Sequence, residues 1–161
     1  MTIEQQRKPM PNDKQQLLDA EGYEVFNREL MRMVFPRIIS GVRAIKPKTK
    51  VGDIIPFYFA ILSYIDGNKY RGDGSINARF GYAFPSQERI YEMTGIDRKR
   101  HKQLTGILKA NGILTDVRDH YEGTKRYLWY KPSFSPRISQ DGYLVNEDGE
   151  KIVPDYRTIL R

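Results

Sequence analysis

A run of basic and amide side chains at positions 98–103 is the clearest chemical signal in this sequence. The run reads Arg-Lys-Arg-His-Lys-Gln, which suits it to bind a polyanion. Arginine can pair with O6 and N7 of guanine, and glutamine with N6 and N7 of adenine. The candidate DNA-binding side chains here are Arg98, Lys99, Arg100, Lys102 and Gln103. A run of this kind is also typical of a solvated helix face, so the neighbouring elements decide its interpretation.

Local signals predict that the run lies on the second of two consecutive helices. The first helix begins at Ser86, which is suited to cap it, and stops near Thr94. Asp97 is suited to cap the second helix, and Gly112 to the left-handed position that ends it. Apolar residues at helical spacing point inward from this second helix. Its outward surface is then formed by Arg98, Lys99, Lys102 and Gln103.

Two further groups of polar residues are placed to contact nucleic acid. Ser86 and Gln87 lie at a helix N-terminus, where they could donate to a phosphate, with simple capping as the alternative. After Gly112 the sequence predicts a β-hairpin, with a turn at His120–Thr124 and a return strand at 126–130. The candidates for contact with the DNA backbone or minor groove are Arg118, His120, Lys125 and Arg126. The alternative is an ordinary charged hairpin.

The order of helix, three-residue turn containing a glycine, helix and hairpin is that of a winged helix-turn-helix. This part of the chain resembles the winged helix of plasmid and phage replication-initiation proteins and, more distantly, MarR-type and GntR-type regulators. The matching motifs are Pro85-Ser86-Gln87, Gly95-Ile96-Asp97, Arg98-Lys99-Arg100 and Gly112-Ile113-Leu114. The resemblance covers residues 46–131. Three residues depart from the family pattern: His101 replaces an inward Val or Ile, Tyr91 a small Ala, and Asn111 an apolar residue.

The resemblance implies an α+β fold: a winged helix-turn-helix with an additional N-terminal helical segment and a C-terminal β-hairpin tail. It also implies that residues 98–103 enter the major groove of double-stranded DNA. The expected function is sequence-specific binding of an origin in plasmid or phage replication. One alternative is a transcriptional repressor on the same fold. The other is a protein-interaction module, as in a primosome, with a replication-protein partner; a homodimer formed through the N-terminal helices is a further option.

Composition limits the other classes of function. The chain has 161 residues, a length typical of one domain, and a formal net charge of +7. It has no cysteine and two histidines, and it carries neither a Gly-Lys-Ser/Thr phosphate loop nor a Gly-x-Ser-x-Gly motif. We therefore expect that the protein is not an enzyme and that it binds neither a cofactor nor a metal. The first sixteen residues lack an apolar signal, and the longest apolar run, 54–62, is too short to span a bilayer. We expect a cytoplasmic protein with no membrane partner.

The chain divides into three parts. Residues 1–16 are expected to form a flexible arm, 17–131 the winged-helix domain with its N-terminal helices, and 132–161 a tail. Within 17–131, Pro36 predicts a helix break near Phe35, because proline has no amide hydrogen. A buried helix is expected to follow Asp53, with Asp53 or Thr49 as its cap, and then a loop or short strand pair. In the tail, Asp148-Gly149 predicts a two-residue hairpin turn between strands within 143–152.

Alternation in the return strand places Leu128 and Tyr130 on one face and Tyr127 and Trp129 on the other. At least half of the aromatic residues that cluster here, Tyr121, Tyr127, Trp129, Tyr130 and Phe134, should therefore be core.

The positive charge is not confined to the helix-turn-helix. Residues 1–50 hold ten basic and six acidic residues, and so do residues 84–131. The N-terminal excess therefore predicts either an arm that follows the DNA backbone or a second partner surface.

Overall fold

The computed structural model describes residues 14–17 and 20–160. Within these ranges the fold is α+β, as the sequence predicts, with helices and two small antiparallel sheets. The helices are α1 (Lys14–Leu17), α2 (Phe35–Ile45), α3 (Ile54–Leu62), α4 (Gln87–Thr94), α5 (Arg98–Ala110) and α6 (Tyr156–Ile159). The strands are β1 (Leu114–Glu122) and β2 (Lys125–Pro132), which pair, and β3 (Arg137–Ile138) and β4 (Leu144–Val145), which pair separately. Nearly all of the predicted N-terminal arm, residues 1–13, lies outside the described residues.

The helix around Pro36 does not break, so this prediction was wrong. A π-helical turn, Leu30–Val34, runs directly into α2, and the amide of Phe35 donates to the carbonyl of Leu30. Pro36 lies in the first turn of α2 and has no amide hydrogen to offer the preceding turn. Widening that turn by one residue lets the backbone pass the proline ring without ending the helix.

Helix α3 is the buried helix that the sequence predicts. Its residues Ile54, Phe57 and Ile61 are fully buried, and Pro56 lies in its first turn. Asp53 stands at the N-cap position, but its side chain makes no capping hydrogen bond. It pairs instead with an arginine of α5. None of the helices in the described ranges is long and apolar enough to cross a bilayer.

Helices α4 and α5 begin and end where the local signals predict. The Ser86 hydroxyl accepts from the amide of Arg89 at 3.0 Å, and the Asp97 carboxylate accepts from the amide of Lys99 at 2.9 Å. Gly95, with φ of 72°, ends α4 in the left-handed conformation, and Gly112, with φ of 78°, follows the C-cap of α5. These positive angles favour glycine at both positions.

The hairpin of β1 and β2 is longer than predicted. Glu122 lies opposite Lys125, so the turn is only Gly123-Thr124, rather than the stretch His120–Thr124. Ala83 extends this sheet by one bridge, because Ala83 and Tyr130 exchange two backbone hydrogen bonds of 2.8 Å. The hairpin is thereby fixed to the segment that leads into α4. The sequence predicts a loop or a short strand pair between α3 and this bridge; the segment is a loop with a single antiparallel bridge, Tyr70 with Ile76.

The C-terminal hairpin forms, but its turn differs from the prediction. Asn146 donates from its amide to the carbonyl of Glu150 at 2.8 Å, which leaves a three-residue loop. Gly149 adopts φ of 81° at the end of that loop, as in a three-residue hairpin loop with a bulge. The regular ladder of β4 is with β3, and its contact with Lys151 is a single bridge.

The segment 132–160 belongs to the same hydrophobic core as the rest of the chain. Leu144, Tyr156 and Leu160 are buried in that core. A Cβ built on Gly142 would lie 2.8 Å from the carbonyl oxygen of Met33, ahead of α2. One built on Gly112 would lie 2.7 Å from a methyl group of Ile152. An isolated hairpin is only marginally stable, so the C-terminal hairpin could dock on the rest of the protein, bind a partner or fluctuate. In the structure it docks on the core.

A buried polar cluster joins this segment to α2 and α5. The side-chain oxygen of Asn111 accepts from the Arg37 guanidinium at 2.9 Å, and its amide donates to the carbonyl of Ile107 at 2.8 Å and to the hydroxyl of Tyr156 at 3.2 Å. Arg37 also donates to the carbonyl of Gly142 at 2.8 Å. Asn111 is fully buried. The family pattern has an apolar residue at this position, and Asn111 is buried there because α2 and α6 cover it.

Candidate nucleic-acid interface

A cleft of about 320 Å³ lies between the beginning of α4, the beginning of α5 and strand β2. It is lined by Pro85, Ser86, Gln87, Glu88, Arg98, Lys125, Arg126, Tyr127, Leu128 and Tyr130. Five of these residues are candidates from the sequence: Ser86, Gln87, Arg98, Lys125 and Arg126. Three of the five are cations, and the cleft lining contains one acid. The fold therefore brings residues up to 40 positions apart into one basic concave surface.

The outward face of α5 continues from this cleft. Arg98, Lys99 and Lys102 are exposed, and Gln103 is half-buried. None of the four side chains forms an ion pair with another residue in the part of the chain that the structure describes. Long cationic side chains with no internal partner remain free to pair with phosphate or base edges.

Arg100 points away from the cleft. Its guanidinium forms an ion pair with Asp53 at the start of α3 and donates to the carbonyl of Lys50 at 2.7 Å. Because successive residues of a helix are about 100° apart, Arg100 lies about 200° around α5 from Arg98. The structure therefore assigns the Arg100 side chain to an internal contact and does not bring it together with the other candidates of α5.

Arg118 and His120 lie on the face of the hairpin opposite to Leu128 and Tyr130. The guanidinium carbon of Arg118 is 5.0 Å from the centroid of the Trp129 ring, and the His120 ring is 4.4 Å from it. His120 also lies 3.7 Å from a carboxylate oxygen of Glu122. These two candidates therefore cover Trp129 and do not line the cleft.

The two cations at the start of β2, next to the hairpin turn, differ in their partners. Arg126 donates to the carboxylate of Asp119 at 2.6 Å, and this hydrogen bond raises the pKa of its guanidinium. Lys125 forms no ion pair with a described residue, and its ammonium lies 5.5 Å from the centroid of the Tyr127 ring. Of the two, Lys125 carries the charge that is less neutralised within the protein.

The aromatic residues of the hairpin follow the predicted alternation. Tyr130 and Trp129 are both buried, on opposite faces of β2, whereas Tyr121 and Phe134 are exposed. Burial raises the pKa of Tyr130 to about 12, so its hydroxyl stays neutral at the floor of the cleft. The aromatics near the return strand are Tyr121, Tyr127, Trp129, Tyr130 and Phe134, and only Trp129 and Tyr130 among them are buried. The prediction that at least half of these aromatics are core was therefore wrong, because the hairpin extends beyond the body of the protein and leaves the others at least partly exposed.

The departures from the family pattern have separate consequences. Tyr91 is 52% exposed, so it does not separate α4 from α5 as a bulky inward residue would. His101 is buried where an apolar residue is usual. Its Nε2–H donates to the carbonyl of Ile96 at 3.0 Å, while Nδ1 has no hydrogen-bond partner among the described residues. Burial lowers the pKa of His101 below its ordinary value.

His101 is expected to make the stability of the fold depend on pH. In the unfolded chain its pKa returns to about 6.5. As the pH falls through that value the unfolded state binds a proton that the folded state excludes, so the free energy of unfolding falls, by up to about 1.4 kcal/mol per pH unit. Urea unfolding at pH 8 and pH 5.5 measures this loss. It should shrink in His101→Leu and persist in His120→Gln; equal losses in all three proteins would contradict the assignment.

The sequence predicts an excess of positive charge in residues 1–50 but assigns no candidate site residue to one basic segment within it. Between Glu29 and Asp53 the chain holds six basic residues and no acidic one. Each cation is separated from the next by uncharged residues, so no dense run marks the segment as the run at 98–103 is marked. The absence of acids over this stretch was the signal that could have found it.

Comparison of the chain with protein-family models, with curated protein sequences and with solved structures gives no match.

Proposed function

We propose that this chain is a winged-helix protein that binds double-stranded DNA in a sequence-specific manner, at an origin of plasmid or phage replication. The observation that carries the proposal is the basic cleft between α4, α5 and β2, together with the exposed cations of α5 beside it. The order of α3, the Ala83 bridge, α4, α5 and the β1–β2 hairpin supports the winged-helix assignment.

In this proposal the first two turns of α5 lie in the major groove. Arg98, Lys99, Lys102 and Gln103 face outward there. Farther along the helix, a Cβ on Gly106 would lie 3.2 Å from a methyl group of Ile159 in α6. The covering of Gly106 by α6 limits deep entry into the groove to the N-terminal half of α5.

The remaining cleft residues fit contacts to the phosphate backbone. Ser86 caps α4, and the first turn of that helix presents amide hydrogens next to Gln87. Helix N-termini of this kind bind phosphate through their amides and dipole. Lys125 extends the same surface along the hairpin. Phosphate contacts position the protein on the duplex, and the groove-facing side chains of α5 supply the preference for a sequence.

The alternatives differ in where the bound sites lie and in what the chain does alone. Origin repeats favour replication initiation, and promoter sites favour a transcriptional repressor. The interaction-module alternative drew on the C-terminal tail and on the long N-terminal segment. Because the tail packs into the core of the described chain, it no longer argues for this alternative. A chain that binds duplex without any partner protein favours direct recognition.

Duplex binding at several salt concentrations tests this proposal. Each phosphate contact steepens the fall of log K with log salt by about 0.9. Lys125→Ala is expected to reduce the slope by about that amount and to weaken binding to all sequences alike. Arg32→Ala, which removes an exposed cation next to α2, serves as the matched control. A wild-type affinity that does not respond to salt would contradict the proposal.

A further inference from the structure

We propose that the loop 46–50, between α2 and α3, is a second phosphate-binding surface that contacts the DNA strand on the opposite side of α5 from the β1–β2 hairpin. This inference rests on the proposed function and adds to it a contact that lies outside the helix-turn-helix and its hairpin. The loop reads Lys-Pro-Lys-Thr-Lys and lies in the basic stretch between Glu29 and Asp53.

The charge of the loop is not neutralised by neighbouring side chains. Lys48 and Lys50 are exposed and form no ion pair with a described residue. Lys46 donates to the backbone carbonyl of Leu160 at 2.8 Å, a contact that leaves its charge uncompensated. The nearest acid along the chain, Asp53, is already paired with Arg100. The loop therefore presents a local excess of positive charge that no carboxylate of the described residues neutralises.

Backbone and side-chain contacts hold the loop in one conformation. The amide of Thr49 donates to the carbonyl of Lys46 at 3.1 Å, and the amide of Asp53 donates to the carbonyl of Lys50 at 3.2 Å. Val51, directly after the loop, is fully buried. Arg100 of α5 donates to the carbonyl of Lys50 at 2.7 Å, which fixes the end of the loop against the helix. A rigid cationic loop loses less conformational entropy on binding than a mobile one.

The position of the loop around α5 matches the two strands that border a major groove. Taking Arg98 as the origin, Lys99 lies at about 100°, Gln103 at about 140° and Arg100 at about 200° around the helix. Lys99 and Gln103 are therefore the groove-facing residues that lie nearest to the loop. An α-helix with its side chains, about 10–12 Å across, fills a major groove about 12 Å wide. With the hairpin on one flank of α5, the loop on the other flank reaches the second phosphate strand.

The proposal also accounts for the N-terminal share of the positive charge. The excess in residues 1–50 left open an arm that follows the backbone or a second partner surface. Two of the six cations between Glu29 and Asp53 have assigned contacts, since Arg37 belongs to the buried polar cluster and Lys46 holds Leu160. Lys48 and Lys50 are exposed and carry the part of this charge that lies next to α5, since Arg100 of α5 donates to the carbonyl of Lys50.

The test compares two double variants that each remove two positive charges. Lys48→Gln/Lys50→Gln alters the loop, and Arg28→Gln/Arg32→Gln alters exposed cations about 20 Å away, beyond the other end of α2. For the same duplexes, the slope of log K against log salt is measured for wild type and both variants. The slope of the loop variant is expected to be shallower than that of wild type by about 1.8, because each of the two lost phosphate contacts contributes about 0.9. The control is expected to keep the wild-type slope.

The outcomes separate the two proposals. If wild type binds duplex with a salt-dependent affinity and the loop variant keeps the wild-type slope, the loop contact is wrong and the proposed function stands. If both double variants lose the same slope, the effect is one of net charge, and the loop contact is again wrong. If wild type does not bind duplex, the proposed function itself fails.

Discussion

Replacing Asn111 with leucine is expected to lower the free energy of unfolding by about 3 kcal/mol, although both side chains carry the same number of heavy atoms with the same branching. The variant leaves the Arg37 guanidinium and the Tyr156 hydroxyl without the oxygen that accepts from them. A buried group that loses its partner costs about 1–3 kcal/mol, and more when it is charged. The effect is large because this one side chain joins α2, α5 and α6.

Thermal and urea unfolding measure this loss. For a chain of this size about 3 kcal/mol corresponds to a fall in Tm of roughly 6–12 °C. Asn68→Leu, at an exposed position whose side chain forms no hydrogen bond with a described residue, makes the same chemical change without the network. Its effect should stay within about 0.5 kcal/mol. If Asn111→Leu were as stable as Asn68→Leu, the polar cluster would not hold the C-terminal segment in place.

Alanine substitutions at Arg98 and Arg100, two residues apart on α5, are expected to affect different properties: DNA affinity for Arg98 and fold stability for Arg100. Arg98→Ala removes a free guanidinium from the cleft, so it should weaken specific duplex binding by about 1–3 kcal/mol, or roughly 5- to 150-fold, with little change in stability. Arg100→Ala removes the ion pair with Asp53, so it should cost about 1–2 kcal/mol of stability. Its ratio of specific to non-specific affinity should remain that of wild type.

The measurements for this pair are unfolding curves and competition between a selected duplex and a scrambled one. The sequence alone predicts that both substitutions erode the preference for a site, because both residues belong to one basic run. The internal contacts of Arg100 separate them. A loss of site preference in Arg100→Ala equal to that in Arg98→Ala would show that the guanidinium leaves Asp53 when DNA binds, contrary to our assignment.

Local signals in the sequence predict the elements that position the candidate site. Ser86, Asp97 and the glycines at positions 95 and 112 fix the ends of α4 and α5 through caps and positive φ angles, which depend on neighbouring residues only. The same holds for β2, which the β-prone residues at 126–130 predict. The cleft could therefore be anticipated in outline, because its residues follow directly from the order of these elements.

The parts that were missed depend on residues far apart in the chain. Asn111 is covered by Arg37 of α2, 74 residues before it, and by Tyr156 of α6, 45 residues after it. Nothing near Asn111 in sequence marks these two residues as its partners. Arg100 is similarly committed to Asp53, 47 positions away. The π-helical turn before Pro36 is a third case, since two backbone responses to proline, breaking and widening, are compatible with the same local sequence.

Titration of the isotope-labelled protein with a duplex, followed by amide chemical shifts, locates the bound surface residue by residue. Shifts are expected to concentrate at Ser86, Gln87 and residues 98–103. Amides of the C-terminal loop 147–149, which lies away from the cleft lining, should not move. Shifts that spare the cleft and α5 while the duplex is bound would show that DNA binds to another surface.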